Sequence, residues 1–512
     1  MSLLLDAPTP IDRRNERTIL AAMCIALVAV IASVSGLGVA QQEMTIDLGA
    51  TQSGVLWIIN GYTLALAALL MPVGAIGDRW GRRTVLLVGL VVFALSNVAA
   101  LVADTTAQML AARVVAGIGA AMVMPVTLSV ITSTFPAEDR ARAVGVWAGF
   151  AGSGGMLGMF YSAFAVDALT WRWAFVLPIV LVAIALVMTL RAVPNTREHS
   201  VHRFDTAGAV LSALAIGGVV LGIHEGPERG WSDIITVTGL VVGVVAGVAF
   251  VAYERRHPAP LLDVREFSDR SLASGTFTIT AIFTVMFGIF LVIFPFLVGV
   301  VGMSALRSAA GLLPMAAVMM PASTVAPRIA VRIGQRTTML TGAVVFTLGL
   351  VLLATFASVD GGYLSILPGL VVIGLGAGTA MAPATTAITE ALPDDKQGVA
   401  SALNDTSREL GGAIGMALLG SVLNAAFRGN LTDRLADLPA AVVQPAGEGL
   451  FNALGVAQQS GAELGPRIAA TARASFVDAW VTSMWVGVAV ATLAVVYLVV
   501  RGPRRPADPA PQ

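Results

Sequence analysis

The stretch GAIGDRWGRR, residues 74–83, decides the fold because it places one acid and three arginines between two long apolar runs. Charged side chains are costly in hydrocarbon, so this segment cannot lie inside a bilayer. Each flanking run is long enough to cross a bilayer as a helix, which takes about twenty residues. We therefore predict a tight cytoplasmic turn between two membrane-spanning helices.

The composition agrees with many such spans. Of the 512 residues, 56% are hydrophobic and 12% are charged, which is far too apolar for a soluble protein of this size. The formal net charge is zero, so nothing favours a nucleic-acid partner. We predict an all-α membrane protein of about fourteen transmembrane helices, beginning near residues 18, 54, 84, 108, 143, 173, 205, 233, 272, 308, 337, 364, 398 and 481.

Arginine placement predicts the orientation. Basic residues concentrate at the amino terminus, in the carboxyl tail and in alternate loops, around Arg79, Arg140, Arg197, Arg255, Arg332 and Lys396. Loops rich in Lys and Arg face the cytoplasm, so we expect both termini there. Lys396 is the only lysine among 31 basic residues, which indicates a GC-rich bacterial genome. We therefore expect a multi-pass protein of a bacterial inner membrane.

Several chemical functions are excluded by residue counts. Cys24 is the only cysteine, so there is no internal disulfide and no cysteine metal cluster. Lys396 is followed by Gln397, so no GxxxxGK[ST] phosphate loop exists. His199 and His202 have no carboxylate or cysteine beside them, so we predict no metal site there. We expect no cofactor and no enzyme activity, and any active transport must use an ion gradient or a partner ATPase.

An internal repeat predicts two halves. Residues 131–158 align without gaps onto residues 388–415, with Pro136 on Pro393. Two pseudo-symmetric six-helix bundles would leave this pattern, with the spans near Asp205 and Asp233 inserted between them. The predicted regions are a cytoplasmic segment 1–17, a first bundle 18–193, an inserted two-helix region 194–270, a second bundle 271–501 with an extracytoplasmic loop 424–478, and a disordered tail 502–512. Within that loop, LADL and ARASFVDAW are interpreted as short amphipathic helices.

The segment around Asp78 resembles the loop signature GxLaDrxGrr of the major facilitator superfamily. The matching residues are Gly74, Gly77, Asp78, Arg79, Gly81, Arg82 and Arg83. Three further segments are similar to signatures of that superfamily and of its fourteen-helix drug/proton antiporters: 113–121, WRWAF at 171–175 and 398–412. The resemblance implies export of small hydrophobic, often cationic compounds, including drugs and antibiotics, by proton antiport with alternating access. The alternative is an exporter or facilitator of one endogenous metabolite or lipid, which need not be coupled to protons.

The chain departs from this family in two places. The fifth-helix signature usually ends LGPxxGG, whereas here Met159, Ser162 and Ala163 stand at the last positions, which puts the usual kink in doubt. The first helix commonly carries an aspartate, and this chain has Ser33 there. A proton site inherited from that aspartate is therefore absent.

Four charged positions inside the predicted spans are candidate proton-coupling residues. Arg113 must face the bundle interior, for coupling or for an interhelical hydrogen bond. Asp405, Arg408 and Glu409 lie on one helical face, roughly 10 to 16 Å inward from Gly398 at about 1.5 Å per residue. They fit a shared proton site or a salt bridge at an interface. For Asp78 the family resemblance implies a gate contact with the helix that begins at Gly398, where an anion is favoured, and the alternative is a solvated loop charge.

Other residues are candidates for the substrate cavity or for helix packing. Aromatic and thioether side chains accept varied hydrophobic ligands and cations, although each is equally consistent with core packing. The cavity candidates are Trp57, Asn60, Tyr62, Phe283, Met286, Phe287 and Phe290. Glycines four residues apart allow close helix contact, and these are Gly145, Gly149, Gly154, Gly158, Gly411 and Gly415. We expect a monomer in the lipid bilayer that binds a small hydrophobic molecule and protons.

Overall fold

The computed structural model describes residues 13–50, 52–196 and 204–503, and these form helices and turns without a β-strand. Fourteen helices in this part of the chain are long and apolar enough to cross a membrane. The prediction of an all-α membrane fold with about fourteen spans is confirmed. His199, His202 and the predicted tail beyond residue 503 lie outside the described residues.

The first bundle contains six spans and one short helix. A break at Gly36 separates the first span from that short helix, and a 3₁₀ turn at Trp171–Phe175 leads into the sixth span. The helices are α1 (Arg13–Ser35), α2 (Leu37–Asp47), α3 (Gln52–Trp80), α4 (Arg82–Leu101), α5 (Thr106–Thr134), α6 (Ala137–Ala168) and α7 (Val176–Ala192). Helix α6 runs on as one helix through the altered fifth-helix signature.

Two helices follow as the inserted hairpin, α8 (Thr206–Arg229) and α9 (Ile234–Glu254). Asp205 and Asp233 cap them, each accepting a hydrogen bond from a backbone N–H of the first turn. The second bundle then comprises α10 (Arg270–Pro295), α11 (Ala305–Gly311), α12 (Leu313–Ile333), α13 (Gln335–Phe356), α14 (Leu367–Ala391), α15 (Gln397–Arg434), α16 (Ala440–Ala446), α17 (Leu450–Gln459) and α18 (Gly461–Arg501).

The helix contacts repeat between the two bundles. In the first bundle α1 packs on α6, α3 and α4 pack on α5, and α4 packs on α7. In the second bundle α10 packs on α15, α12 and α13 pack on α14, and α13 packs on α18. The bundles meet along two seams, α3 against α15 and α6 against α12. Because α3 corresponds to α12 and α6 corresponds to α15, each seam is the counterpart of the other. The fold therefore has the pseudo-twofold arrangement that the sequence repeat predicts.

Glycines allow the close packing of these helices. A side chain at Gly145 would lie 2.7 Å from the Ser323 carbonyl oxygen of α12, and Gly149 also faces α12. Gly154 and Gly158 face α1, whereas Gly411 and Gly415 face α10. The first pair thus lies at a seam between the bundles, and the other pairs lie within a bundle.

The predicted extracytoplasmic loop 424–478 is wrong in its bounds. Helix α15 continues to Arg434, and α18 begins at Gly461 rather than near residue 481, so only residues 435–460 connect them. LADL forms a turn, and ARASFVDAW lies inside α18. The two extensions bury residues against each other, with the rings of Phe427 and Phe476 6.2 Å apart. Hydropathy alone therefore misplaced the helix ends.

We predict that Gly415→Ala destabilises the protein by about 1–3 kcal/mol, because a Cβ there would lie 1.8 Å from the Thr284 carbonyl oxygen and the helices must separate. Gly429→Ala on the same helix is the matched control, since its Cβ would meet nothing within 4 Å. That control should gain about 0.5–1 kcal/mol from helix propensity. Thermal unfolding of the purified protein measures both, and equal midpoints would contradict the close contact.

Candidate gate and buried charge site

Asp78 joins the two bundles at the end of the molecule that carries Gly81, Pro136, Gly334 and Pro393, here called the basic face. Its carboxylate accepts hydrogen bonds from the Gly398 N–H at 2.9 and 2.8 Å and from the Val399 N–H at 3.2 Å. These donors belong to the first turn of α15, whose N–H groups have no acceptor within the helix and attract negative charge. Arg82 completes the contact with a 2.6 Å ion pair.

The Asp78 contact is almost dry. Asp78 is 2% exposed and Arg82 is 4% exposed. The backbones can approach because Gly74 and Gly398 have no side chains: a Cβ on Gly398 would lie 2.3 Å from the Gly74 carbonyl oxygen. The carboxylate therefore holds the first bundle against the second through the main-chain donors of α15, while the buried cation of Arg82, on its own bundle, balances its charge.

The remaining residues of the 74–83 segment shape the turn. Gly81 has φ of 105°, a left-handed conformation that favours glycine, and ends α3 so that α4 can begin at Arg82. Arg83 is half-buried and donates a 2.7 Å hydrogen bond to the Leu190 carbonyl of α7, while Arg79 lies half-buried in the last turn of α3. Nearby, Arg140 forms an exposed ion pair with Asp394 at 3.4 Å, a second link between bundles.

Arg113 is buried in a polar network within the first bundle. Its guanidinium donates to the Ser33 hydroxyl at 3.0 Å, and that hydroxyl donates to the Asn97 side-chain oxygen at 3.1 Å. The Tyr62 ring lies 4.3 Å from the guanidinium carbon. No described carboxylate forms an ion pair with Arg113, and its Nε has no hydrogen-bond partner in the described chain. Ser33, at the position where the family resemblance leads us to expect an aspartate, thus lies next to a cation.

Asp405, Arg408 and Glu409 come together on α15. Arg408 pairs with the Asp405 carboxylate at 3.4 Å, and the other Asp405 oxygen is buried without a hydrogen-bond partner among the described residues. The Arg408 guanidinium lies 4.6 Å from the Phe283 ring and 5.4 Å from the Trp147 ring. Since Trp147 belongs to α6 and Phe283 to α10, this cation lies between the two bundles.

The substrate-cavity candidates divide between several places. Phe283, Phe287 and Phe290 form a chain of ring contacts along α10, with centroids 5.9 and 6.5 Å apart. Met286 is buried in the core of the second bundle, and Trp57 is half-buried on α3. Asn60 bonds to His224 of α8 at 3.0 Å, so it faces the inserted hairpin. Tyr62 and Phe283 are the two that contact buried arginines.

Sequence reasoning missed Trp147 and Asn97. Trp147 is held by a 3.1 Å hydrogen bond from its indole N–H to the Thr127 hydroxyl, which fixes the ring beside Arg408. The repeat register places Trp147 on Asn404, which bonds to Thr385 at 3.0 Å. The sequence does contain one signal for Trp147, because this tryptophan aligns with an asparagine in an otherwise similar repeat. For Asn97, the sequence offers only the adjacent polar pair Ser96 and Asn97 within an apolar span.

The WRWAF segment closes the other end of the first bundle. The Trp171 indole donates to the Asp47 carboxylate at 3.0 Å, and Arg172 also bonds to Asp47. These hydrogen bonds, chiefly that from Arg172, lower the pKa of Asp47. Arg172 further bonds to the Ala103 carbonyl at 3.0 Å and to Asp104 at 3.2 Å. One arginine therefore ties α2 to the turn between α4 and α5.

The fold and these contacts define a membrane transporter of two pseudo-symmetric bundles with ionisable groups at their junction. A family model described as Major Facilitator Superfamily matches residues 23–416. The chain belongs to the Major Facilitator Superfamily, and it is a multi-pass membrane transporter, not an enzyme.

Relatives named for drug efflux align with most of the chain. The multidrug resistance protein Stp of Mycobacterium tuberculosis is 32% identical over 398 residues, which cover 78% of this chain and 74% of that protein. The multidrug efflux pump LfrA of Mycolicibacterium smegmatis is 29% identical over 483 residues, covering 93% and 94%. The tetracenomycin C resistance and export protein of Streptomyces glaucescens is 30% identical over 403 residues, covering 78% and 74%.

Solved structures support the fold. The proton:xylose symporter XylE matches with a TM-score of 0.59 and 13% identity, covering 96% of each chain. A bacterial homologue of the human lysosomal transporter Spinster matches with a TM-score of 0.60 and 16% identity, covering 97% of this chain and 100% of that one. At these identities the likeness concerns the fold alone.

We predict that Asp78→Asn opens the basic face. The change leaves the buried Arg82 without a counterion, which typically costs about 3–5 kcal/mol. Spin labels at the exposed positions Glu138 and Asp395 report the separation of the bundles, and the native Cys24 is buried and should not react. Electron–electron distance measurements should show a longer component in the variant. Glu463→Gln, an exposed carboxylate at the start of α18, is the control. An unchanged distribution would show that Asp78 does not hold the bundles together.

We predict that Ser33→Asp is more stable than Ser33→Asn by about 1–3 kcal/mol, because a carboxylate would pair with a cation that is already desolvated. The two side chains have nearly the same size, so the comparison isolates the charge. Thermal unfolding at neutral pH measures the difference. A less stable aspartate variant would indicate that Arg113 has another counterion.

Proposed function

We propose that this transporter exports small hydrophobic, often cationic compounds by proton antiport with alternating access. The observation that carries the proposal is the Asp405–Arg408–Glu409 cluster, whose cation lies between rings of both bundles. A carboxylate beside a cation at a junction between moving bodies can exchange its proton as the junction opens. The drug-efflux names of the relatives support the substrate class.

Asp405 is the proposed proton-carrying group. One of its oxygens accepts from Arg408 and from Asn404, both at 3.4 Å, and the other has no partner within the described chain. The unpartnered oxygen can hold a proton without breaking an existing hydrogen bond. Glu409 lies one residue beyond Arg408 and is half-buried, so it supplies a second carboxylate that competes for the same cation.

Asp78 is the proposed gate. Its contact with the start of α15 stabilises the state in which the basic face is closed, while Arg408, on the same helix, lies between the bundles further in. A change in the ion pairing of Arg408 would alter how α15 packs against α6. Because α15 is one continuous helix, its first turn, which contacts Asp78, would move with it. This gives proton binding a physical route to the gate.

The proposal includes the cellular setting. From the arginine-rich loops we infer that the basic face and both termini lie in the cytoplasm of a bacterium, with the protein in the inner membrane as a monomer. The bundles are those of residues 18–193 and 271–501, joined by the region 194–270. The partners are the transported compound, protons and the bilayer.

One observation favours the alternative, an exporter or facilitator of one metabolite or lipid without proton coupling. Arg113 bonds to the neutral Ser33 instead of an acid, so the first bundle has no carboxylate to titrate at this point. In that case the α15 cluster would serve only as a salt bridge at the junction.

Proteoliposomes loaded with ethidium test the proposal. An imposed pH gradient should drive ethidium against its gradient, and Asp405→Asn should reduce this about tenfold or more while leaving ethidium exchange without a gradient intact. Glu409→Gln should shift the pH dependence, and Glu463→Gln serves as the control. Transport that ignores the pH gradient would support the uncoupled alternative. Absence of any ethidium transport, alongside transport of an endogenous metabolite, would refute the multidrug substrate class.

A further inference from the structure

A cavity of about 530 Å³ lies between the inserted hairpin and the seam of α3 with α15. The first bundle contributes Met71 of α3, and the second contributes Leu403 and Thr406 of α15. The hairpin and the segment after it supply the rest of the wall, which is mostly apolar and includes Ala215, Ile216, Phe250, Arg255 and Arg265. Several of these residues are exposed, so the cavity opens to the outside of the molecule.

The mouth of the cavity is cationic. Arg255 and Arg265 are both exposed, and the Arg265 guanidinium donates a 2.6 Å hydrogen bond to the Arg255 carbonyl, which keeps them adjacent. Neither forms an ion pair with a carboxylate of the described chain. Of the nearby acids, Asp263 and Asp269 accept hydrogen bonds from backbone N–H groups at helix starts, and Glu254 and Glu266 form no ion pair within the described chain. Two cations without counterions therefore remain at this mouth.

A hydroxyl in the wall also lacks a partner. Thr406 is 8% exposed, and its oxygen forms no hydrogen bond within the described residues. A threonine in a helix usually bonds to a carbonyl of the preceding turn, as the neighbouring Ser407 does to Leu403 at 2.7 Å. A buried hydroxyl without a partner is costly, so a ligand that supplies an acceptor would be favoured here.

We propose that this cavity binds one anionic phospholipid of the surrounding membrane. The phosphate lies between Arg255 and Arg265, an ester oxygen accepts from the Thr406 hydroxyl, and an acyl chain lies against the apolar wall. The site is at the end of α9, next to the basic face, where a lipid phosphate would lie. Because its wall includes residues of both bundles, the bound lipid stabilises the arrangement in which the basic face is closed.

Native mass spectrometry of the purified protein tests the site without any transport assay. The protein is exchanged into detergent, titrated with phosphatidylglycerol and compared with the double variant Arg255→Gln/Arg265→Gln. We expect one tightly bound lipid in the wild type and at least tenfold weaker binding in the variant. Arg256→Gln is the matched control, since this arginine is adjacent and exposed but does not line the cavity.

Two further measurements keep the outcome decisive. Ala215→Trp should block the cavity and abolish the tightly bound lipid, with thermal unfolding in lipid-free detergent as the check that the variant folds. Phosphatidylcholine should bind at least tenfold more weakly than phosphatidylglycerol. Equal affinity for the two lipids, retention of tight binding in the double variant, or displacement of the lipid by ethidium would each overturn the proposal, the last by making the cavity a substrate site.

Discussion

The cost of an unpaired charge away from water governs how the two bundles of this protein meet. Asp78 is tolerable in a nearly dry position because three oxygen–hydrogen contacts to the start of α15 and one ion pair to Arg82 replace its hydration. None of the α15 donors belongs to the bundle that carries Asp78. Separating the bundles on this side therefore requires water to enter and solvate both the acid and its cation. The free-energy cost of this step opposes opening of the basic face.

Backbone contact makes that electrostatic arrangement possible. The N–H groups at the start of α15 reach Asp78 only because Gly74 and Gly398 let the helices touch. The second seam uses the same solution, with Gly145 against α12 and the Ser323 hydroxyl donating to the Gly145 carbonyl at 2.7 Å. Both seams thus combine close helix contact with hydrogen bonds between the helices. In a bilayer these two interactions replace the hydrophobic driving force that holds helices together in water.

The two bundles differ in sequence at the positions where we expect proton binding. The repeat places Ala148, Ala151 and Gly152 of α6 on Asp405, Arg408 and Glu409 of α15. The backbone role of the two helices is the same, since each crosses its own bundle and packs at a seam. At these three repeat positions only α15 carries ionisable groups, and only α6 carries the tryptophan that covers the cation. Pseudo-symmetry makes the two seams alike in helix packing. The sequence difference between α6 and α15 at the three repeat positions puts the charged cluster on α15.

Sequence by itself determined the class of fold, because hydropathy, charged loops and the internal repeat are all local or periodic signals. It also predicted the partner of Asp78 and the shared face of the α15 charges, although the gating and coupling roles of these residues stay predictions. Only tertiary structure decided the ends of α15 and α18, the pairing of Arg113 with Ser33 and Asn97, and the position of Trp147 beside Arg408. These features depend on contacts between segments that are distant in the sequence. The energies of such contacts come from packing and desolvation, which produce no residue spacing that can be recognised in the sequence.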